Sequence, residues 1–201
     1  MAPRRFFARS GALIFLVMLC LYRLGYGQGL TEAQYQALNV DITQTHQAEF
    51  APLVAVSHYQ AIADAYNLQA SPDFWVWRTQ LPEKEIYEAT ASDGSTWNWT
   101  TYIGQSVQER DGWALMNRPG QLNPSLPQVR GAFDKIFSGT GASATQRAYL
   151  YAISKRLALR GEALFANTTG GNGQQATPAL LVKIGHLSFQ DVYYALTGLR
   201  P

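Results

Sequence analysis

His46, Glu49 and His58 come nearest to a metal-binding set, because imidazoles and carboxylates are usual ligands of zinc-like ions. Their spacing matches neither HExxH nor any other recognised ligand pattern, so no metal is expected. Glu83, Glu85 and Glu88 cluster acidity on one short stretch. General acid–base work needs at least one of them desolvated, and a solvated helix face is the simpler reading. Gly139-Thr140-Gly141 with Ala144 imitates a dinucleotide-binding turn, but it follows a predicted helix where that motif must follow a strand. No Gly-x-Ser-x-Gly elbow or Walker loop is present. The expectation is no catalytic residue, no cofactor and no metal, hence not an enzyme. The rival is an enzyme of unrecognised type using the Glu83 to Glu88 helix or His58.

Trp75-Val76-Trp77 and Trp97-Asn98-Trp99 each put two indoles on one side of an extended segment. Trp75, Trp77, Trp97 and Trp99 therefore read either as core anchors or as a stacking platform for a ligand.

Charge narrows the partners. The chain of 201 residues carries a formal net charge of +2, yet residues 1–29 hold Arg4, Arg5, Arg9 and Arg23 and no acid. Beyond them 12 basic residues face 14 acidic ones, which argues against a nucleic-acid binder driven by phosphate contacts. Residues 30–111 hold 3 basic and 11 acidic residues, whereas residues 112–201 hold 9 basic and 3 acidic. Such polarity suits head-to-tail association or docking onto a charged protein surface, with Arg156 and Arg160 on the interaction surface. Arg147, Lys155, Arg156 and Arg160 form no single stripe at helical spacing, which disfavours a DNA-reading helix. The lone Cys20 rules out an internal disulfide and CxxC chemistry in residues 30–201.

Residues 1–29 have a basic start, an apolar run from Gly11 to Tyr22 and small residues near Gly25 and Gly27. They read as a signal-peptide-like segment or as an upstream extension ahead of a true start near Leu30. The apolar run is too short for a permanent membrane anchor.

The elements that position these residues follow from caps and periodicity. Thr31 with Gln34 opens a helix to about Thr45, and a second helix is expected from Pro52 to Leu68. Phe74 to Thr79 is expected to be extended, followed by a short helix from Pro82 through Glu88. Ser106 with Glu109, Ser125 with Gln128, Ser143 with Gln146 and Ser188 with Asp191 mark further helix starts. The helix from Ser143 is expected to be the longest, reaching Phe165 on a Leu150, Ile153, Leu157, Gly161, Leu164 stripe. Trp97 to Tyr102 and Ala179 to Leu187 are expected to pair as strands, and Asn167 to Gly173 forms a glycine-rich stop. The fold class is mainly α: a single compact helical domain over residues 30–201 with a small two-stranded β element.

Two runs carry a resemblance: Ala61-Ile62-Ala63-Asp64-Ala65 with Asn67, and Ala70-Ser71-Pro72-Asp73-Phe74-Trp75-Val76-Trp77-Arg78-Thr79. So do Asn123-Pro124-Ser125, Val129-Arg130, Phe133, Ile136-Phe137 and Gly139 in the middle. Lys155-Arg156, Glu162, Leu164-Phe165-Ala166 and Leu187-Ser188-Phe189-Gln190-Asp191-Val192 continue it to the end. Across about residues 30–198 the chain resembles a family of small bacteriophage and prophage proteins encoded among morphogenesis genes. That resemblance implies a virion-associated structural or assembly protein, head–tail or tail related, acting on other virion proteins or copies of itself. It transfers no functional residue. The implied location is the virion or host cytoplasm if translation starts near Leu30, and the periplasm or exterior if residues 1–29 are a working signal. An exported ligand-binding protein using the tryptophan-rich segments is the main rival.

Overall fold

The computed structural model describes residues 29–166, 170–173 and 175–199. The signal-like segment up to Gln28, and Asn167 to Thr169 of the glycine-rich stop, lie outside the described residues. Ten α-helices, one π-helical turn and two two-stranded antiparallel sheets make up the described chain, a mainly α protein. None of the described helices is long and apolar enough to cross a membrane. The chain divides into two compact units, one of residues up to Ala63 together with Lys183 onward, the other Asp64–Val182.

In the first unit, helix α1 (Glu32–Val40) opens with the expected box: Gln34 N donates to Thr31 Oγ1 at 3.3 Å and Thr31 N to Gln34 Oε1 at 2.8 Å. The helix widens into a π turn over Asp41–Thr45, closed by His46 N donating to Asp41 O at 2.8 Å. Helix α2 (Gln47–Ala55) and helix α3 (Tyr59–Tyr66) replace the single helix expected from Pro52 to Leu68. The break falls at Ser57, whose φ of 57° lies in the left-handed region that cannot continue a helix. Helix α10 (Phe189–Thr197) begins on the Ser188–Asp191 box and stops at Gly198, φ 70°, where the missing Cβ removes the left-handed penalty. It docks on α1 through hydrogen bonds from Tyr35 Oη to Asp191 Oδ1 at 3.2 Å and from Asn39 Nδ2 to Ala195 O at 2.8 Å.

In the second unit, β1 (Trp75–Trp77) pairs antiparallel with β4 (Lys155–Leu157), in the register Trp75 to Leu157 and Trp77 to Lys155. The other small sheet joins β2 (Leu81–Pro82) to β3 (Gln121–Leu122). Around them stand α4 (Glu83–Glu88), α5 (Trp99–Ile103), α6 (Val107–Asn117), α7 (Pro127–Ile136), α8 (Ala142–Ile153) and α9 (Arg160–Phe165). Their main core joins Leu81, Ile86, Trp97, Trp113, Phe133, Phe137, Tyr149 and Leu150. A smaller cluster holds Val76, Ala158, Ala166 and Ala179.

Three expectations are corrected here. The long helix from Ser143 ends at Ile153, because residues 158–160 bond back to the start of the unit. Ala70 N donates to Ala158 O at 2.9 Å, Ala158 N to Phe74 O at 2.8 Å and Arg160 N to Leu68 O at 2.8 Å. Leu157 is thus a strand residue, and tertiary pairing overrides its helical spacing. The strand expected at Trp97 to Tyr102 is instead helix α5, since Asn98 Oδ1 accepts from Thr101 N at 2.9 Å and caps it. Its expected partner, Ala179 to Leu187, contributes only a parallel bridge from Ala179 to Val76.

Of the remaining serine boxes, Ser106 with Glu109 forms, capping α6. Ser125 and Ser143 cap nothing. Ser125 N donates to Asn123 Oδ1 at 3.1 Å in a local turn, and α8 starts one residue before Ser143 from Gly141.

Candidate functional site

Five aromatic residues, drawn from α4, α5, α6 and the C-terminal end of α7, converge on Trp97 in the segment before α5. It stacks on Trp113 at 5.1 Å and 28°, and meets Tyr87 at 5.1 Å, Trp99 at 5.7 Å, Tyr102 at 5.7 Å and Phe137 at 6.0 Å. Trp113 Nε1 donates to Tyr87 Oη at 3.2 Å, and Tyr87 Oη donates to Glu83 Oε1 at 3.2 Å. Burial pushes the Tyr87 phenol above its ordinary value of 10.0.

Trp97 and Trp113 are buried, whereas Trp99 is 51% exposed at the edge of the cluster. Along the same stretch Ile103 and Val107 are 62% and 58% exposed. Trp99 and Ile103 are four apart on α5 and therefore share one face. An exposed indole with an exposed aliphatic residue one turn along the same face is the kind of apolar surface that marks a protein contact.

The other two expected platform residues are occupied within the fold. Trp77 is 9% exposed, with the Arg130 guanidinium 4.4 Å and the Lys155 ammonium 5.4 Å from its ring centre. Trp75, half-buried, pairs with Leu157, and Gly171 passes so close that a Cβ there would stand 2.8 Å from Trp75 O and 2.6 Å from the Phe74 ring.

Arg156 and Arg160, expected on an interaction surface, are likewise engaged. Arg156 Nη1 and Nη2 donate to the Glu162 carboxylate at 2.7 and 2.8 Å. The Arg160 guanidinium lies 4.9 Å from the Tyr66 ring centre.

Each carboxylate of α4 has a partner in the fold. Both terminal nitrogens of the Arg78 guanidinium donate to Glu85, Nη1 to Oε1 and Nη2 to Oε2 at 2.7 Å, and this holds the Glu85 carboxyl below its ordinary value of 4.5. Glu88 lies 3.7 Å from the Lys84 ammonium, and Glu83 accepts from Tyr87. Among the metal candidates, His46 Nδ1 sits 3.1 Å from Asp41 Oδ2, and His58 is exposed. No group of three or more His, Cys, Asp or Glu side chains placed to hold a metal occurs among the described residues.

Sequence reasoning missed Arg78, Arg130, Tyr149 and Lys155. Arg130 and Lys155 are brought to Trp77 from α7 and β4, and no local spacing encodes that meeting. No protein-family model, curated protein or solved structure matches the chain.

Proposed function

We propose that this is a phage or prophage virion-associated structural or assembly protein, head–tail or tail related, that works by docking onto other virion proteins or onto copies of itself. The observation that carries this reading is the exposed strip of Trp99 and Ile103, one turn apart on α5 beside an aromatic cluster. Burying an aromatic anchor ringed by aliphatic groups is how protein interfaces concentrate their affinity. The sequence resemblance across residues 30–198 points the same way. The described carboxylates of α4 and the His46–Asp41 pair are engaged with neighbouring side chains, so contact rather than bond chemistry is the simpler use of this surface.

The test is the composition of particles induced from the strain that carries the gene. Peptides from residues 30–199 present at a fixed ratio to the main capsid or tail proteins support the reading. Their absence from both finished particles and assembly precursors overturns it.

A further inference from the structure

Strand register places Trp77 and Lys155 directly opposite each other, so their side chains leave the same face of the β1–β4 pair. Helix α7 brings Arg130 to the same indole, and Tyr151 meets that ring edge-on at 5.9 Å. Two cations therefore converge on one largely buried ring. Neither has a carboxylate within 4.0 Å among the described residues. The nearby acids are committed elsewhere: Glu85 to Arg78, and Asp134 to Arg147 at 3.7 Å and to Tyr151 Oη at 3.0 Å. Arg130 is satisfied on one side only, where Nη1 donates to Ser125 O at 2.8 Å and to Pro124 O.

We propose that Arg130 and Lys155 form a seat for one carboxylate of an acidic segment on a partner protein, beside the Trp77 indole. A half-buried ammonium without a counter-ion is an unfavourable arrangement that an incoming anion relieves. Burial indeed pulls the Lys155 ammonium below its ordinary value of 10.5. Trp77 is only 9% exposed, so the visitor meets the cations at its rim and does not stack on the ring, which excludes a sugar or base platform. A carboxylate is favoured over a nucleic-acid phosphate for two reasons. Two cations make a point contact where a polyanion needs a row of them, and residues 30–201 carry more acid than base. Arg78, Arg147 and Arg156 each already take a carboxylate in this unit. The inference rests on the proposed docking role for its partner being a protein.

The experiment titrates purified protein with a tetraglutamate peptide capped at both ends, with the matching tetraglutamine, and with inorganic phosphate, followed by calorimetry. Saturable binding of the glutamate peptide alone is expected, weakened at least about tenfold in Lys155→Gln and in Arg130→Gln, and retained in Lys155→Arg. Circular dichroism confirms that each variant folds. In the unaltered protein the Lys155 Nζ titration, followed by NMR, moves upward when the peptide binds, which gives a readout independent of any variant. No binding, binding indifferent to both variants, or tighter competing binding of phosphate overturns the proposal. Because the assay reads the site alone, peptide binding by a protein absent from particles keeps this site and removes only the virion reading.

Discussion

Arg156 on β4 closes a two-pronged hydrogen bond on Glu162 of α9, and Glu162 Oε2 also accepts from Leu159 N at 3.0 Å. The Glu162 side chain is 1% exposed while that of Arg156 is 34% exposed, so the acid is the buried member. Removing the arginine strands a buried carboxylate, and removing the acid strands a cation that water still reaches. Arg156→Ala is expected to lower stability by about 3 kcal/mol, and the paired change Arg156→Met with Glu162→Leu by markedly less. Urea unfolding of the three proteins decides. Equal losses in the single and double variants would show that the pair contributes through packing alone.

Tyr149 is expected to set an alkaline limit. Its hydroxyl donates to Ile86 O at 2.7 Å and Ala89 O at 3.1 Å, and burial first, then the nearby Glu85 charge, push it up to about 12. The folded value lies above the unfolded one near 10, so the unfolded chain loses its proton first. The stability this group provides is full below pH 10 and falls away as pH rises toward 12. Tyr149→Phe is expected to cost about 1 kcal/mol at neutral pH and to flatten the alkaline decline. Burial leans Tyr87 and Tyr151 the same way, so part of the slope persists. Chemical unfolding at a series of pH values between neutral and strongly alkaline measures it; an unchanged slope would exclude Tyr149 as the cause.

The acid side turns on Arg78 and Glu85. Hydrogen bonds from Arg78 hold the folded carboxyl below 4.5, so its contribution is present above that value and is lost as pH falls through the lowered one. Arg78→Gln is expected to reduce stability at neutral pH and to converge with the unaltered protein in acid. Because the Glu85 side chain is 39% exposed, solvent screens the effect, and high salt should shrink it further. A difference between the two proteins that stays constant from neutral to acid pH contradicts this account.

What could be read in the sequence was local. Thr31 with Gln34, Ser106 with Glu109 and Ser188 with Asp191 announce helix starts because a cap is a contact between residues three apart. Several of the failures are long-range. Nothing near Ser154 stops a helix; the chain turns into β4 because Phe74 and Leu68 offer backbone partners some eighty to ninety residues upstream. Ser143 loses its cap to a different task, accepting from Gln105 Nε2 at 3.3 Å, while Gln146 Oε1 accepts from Asn98 N at 2.7 Å. Asn98 was legible as a cap in principle, but the alternating tryptophans around it read as a strand. The four tryptophans stand out in the sequence by type, yet only burial separates Trp99 from Trp75, Trp77 and Trp97, and burial is a property of the whole fold.

The same distinction gives a contrast between two tryptophans of one cluster. Trp113 is 1% exposed, stacked on Trp97 and hydrogen-bonded to Tyr87, so Trp113→Ala removes a large core volume and a partner at once. A loss of about 3–5 kcal/mol is expected, a large part of the stability of a protein this size. Trp99 touches Trp97 and Tyr87 from outside and is 51% exposed, so Trp99→Ala forfeits edge contacts and leaves no enclosed cavity. Its cost should stay near 1 kcal/mol, the usual scale of an aromatic pair. If the strip is the docking surface, Trp99→Ala combined with Ile103→Ser should abolish incorporation into particles while the purified variant keeps its helical circular dichroism and nearly its full thermal stability. Thermal unfolding of both variants and particle content of the second measure the two halves separately. Normal incorporation of a well-folded Trp99→Ala, Ile103→Ser protein would remove this strip from the interface.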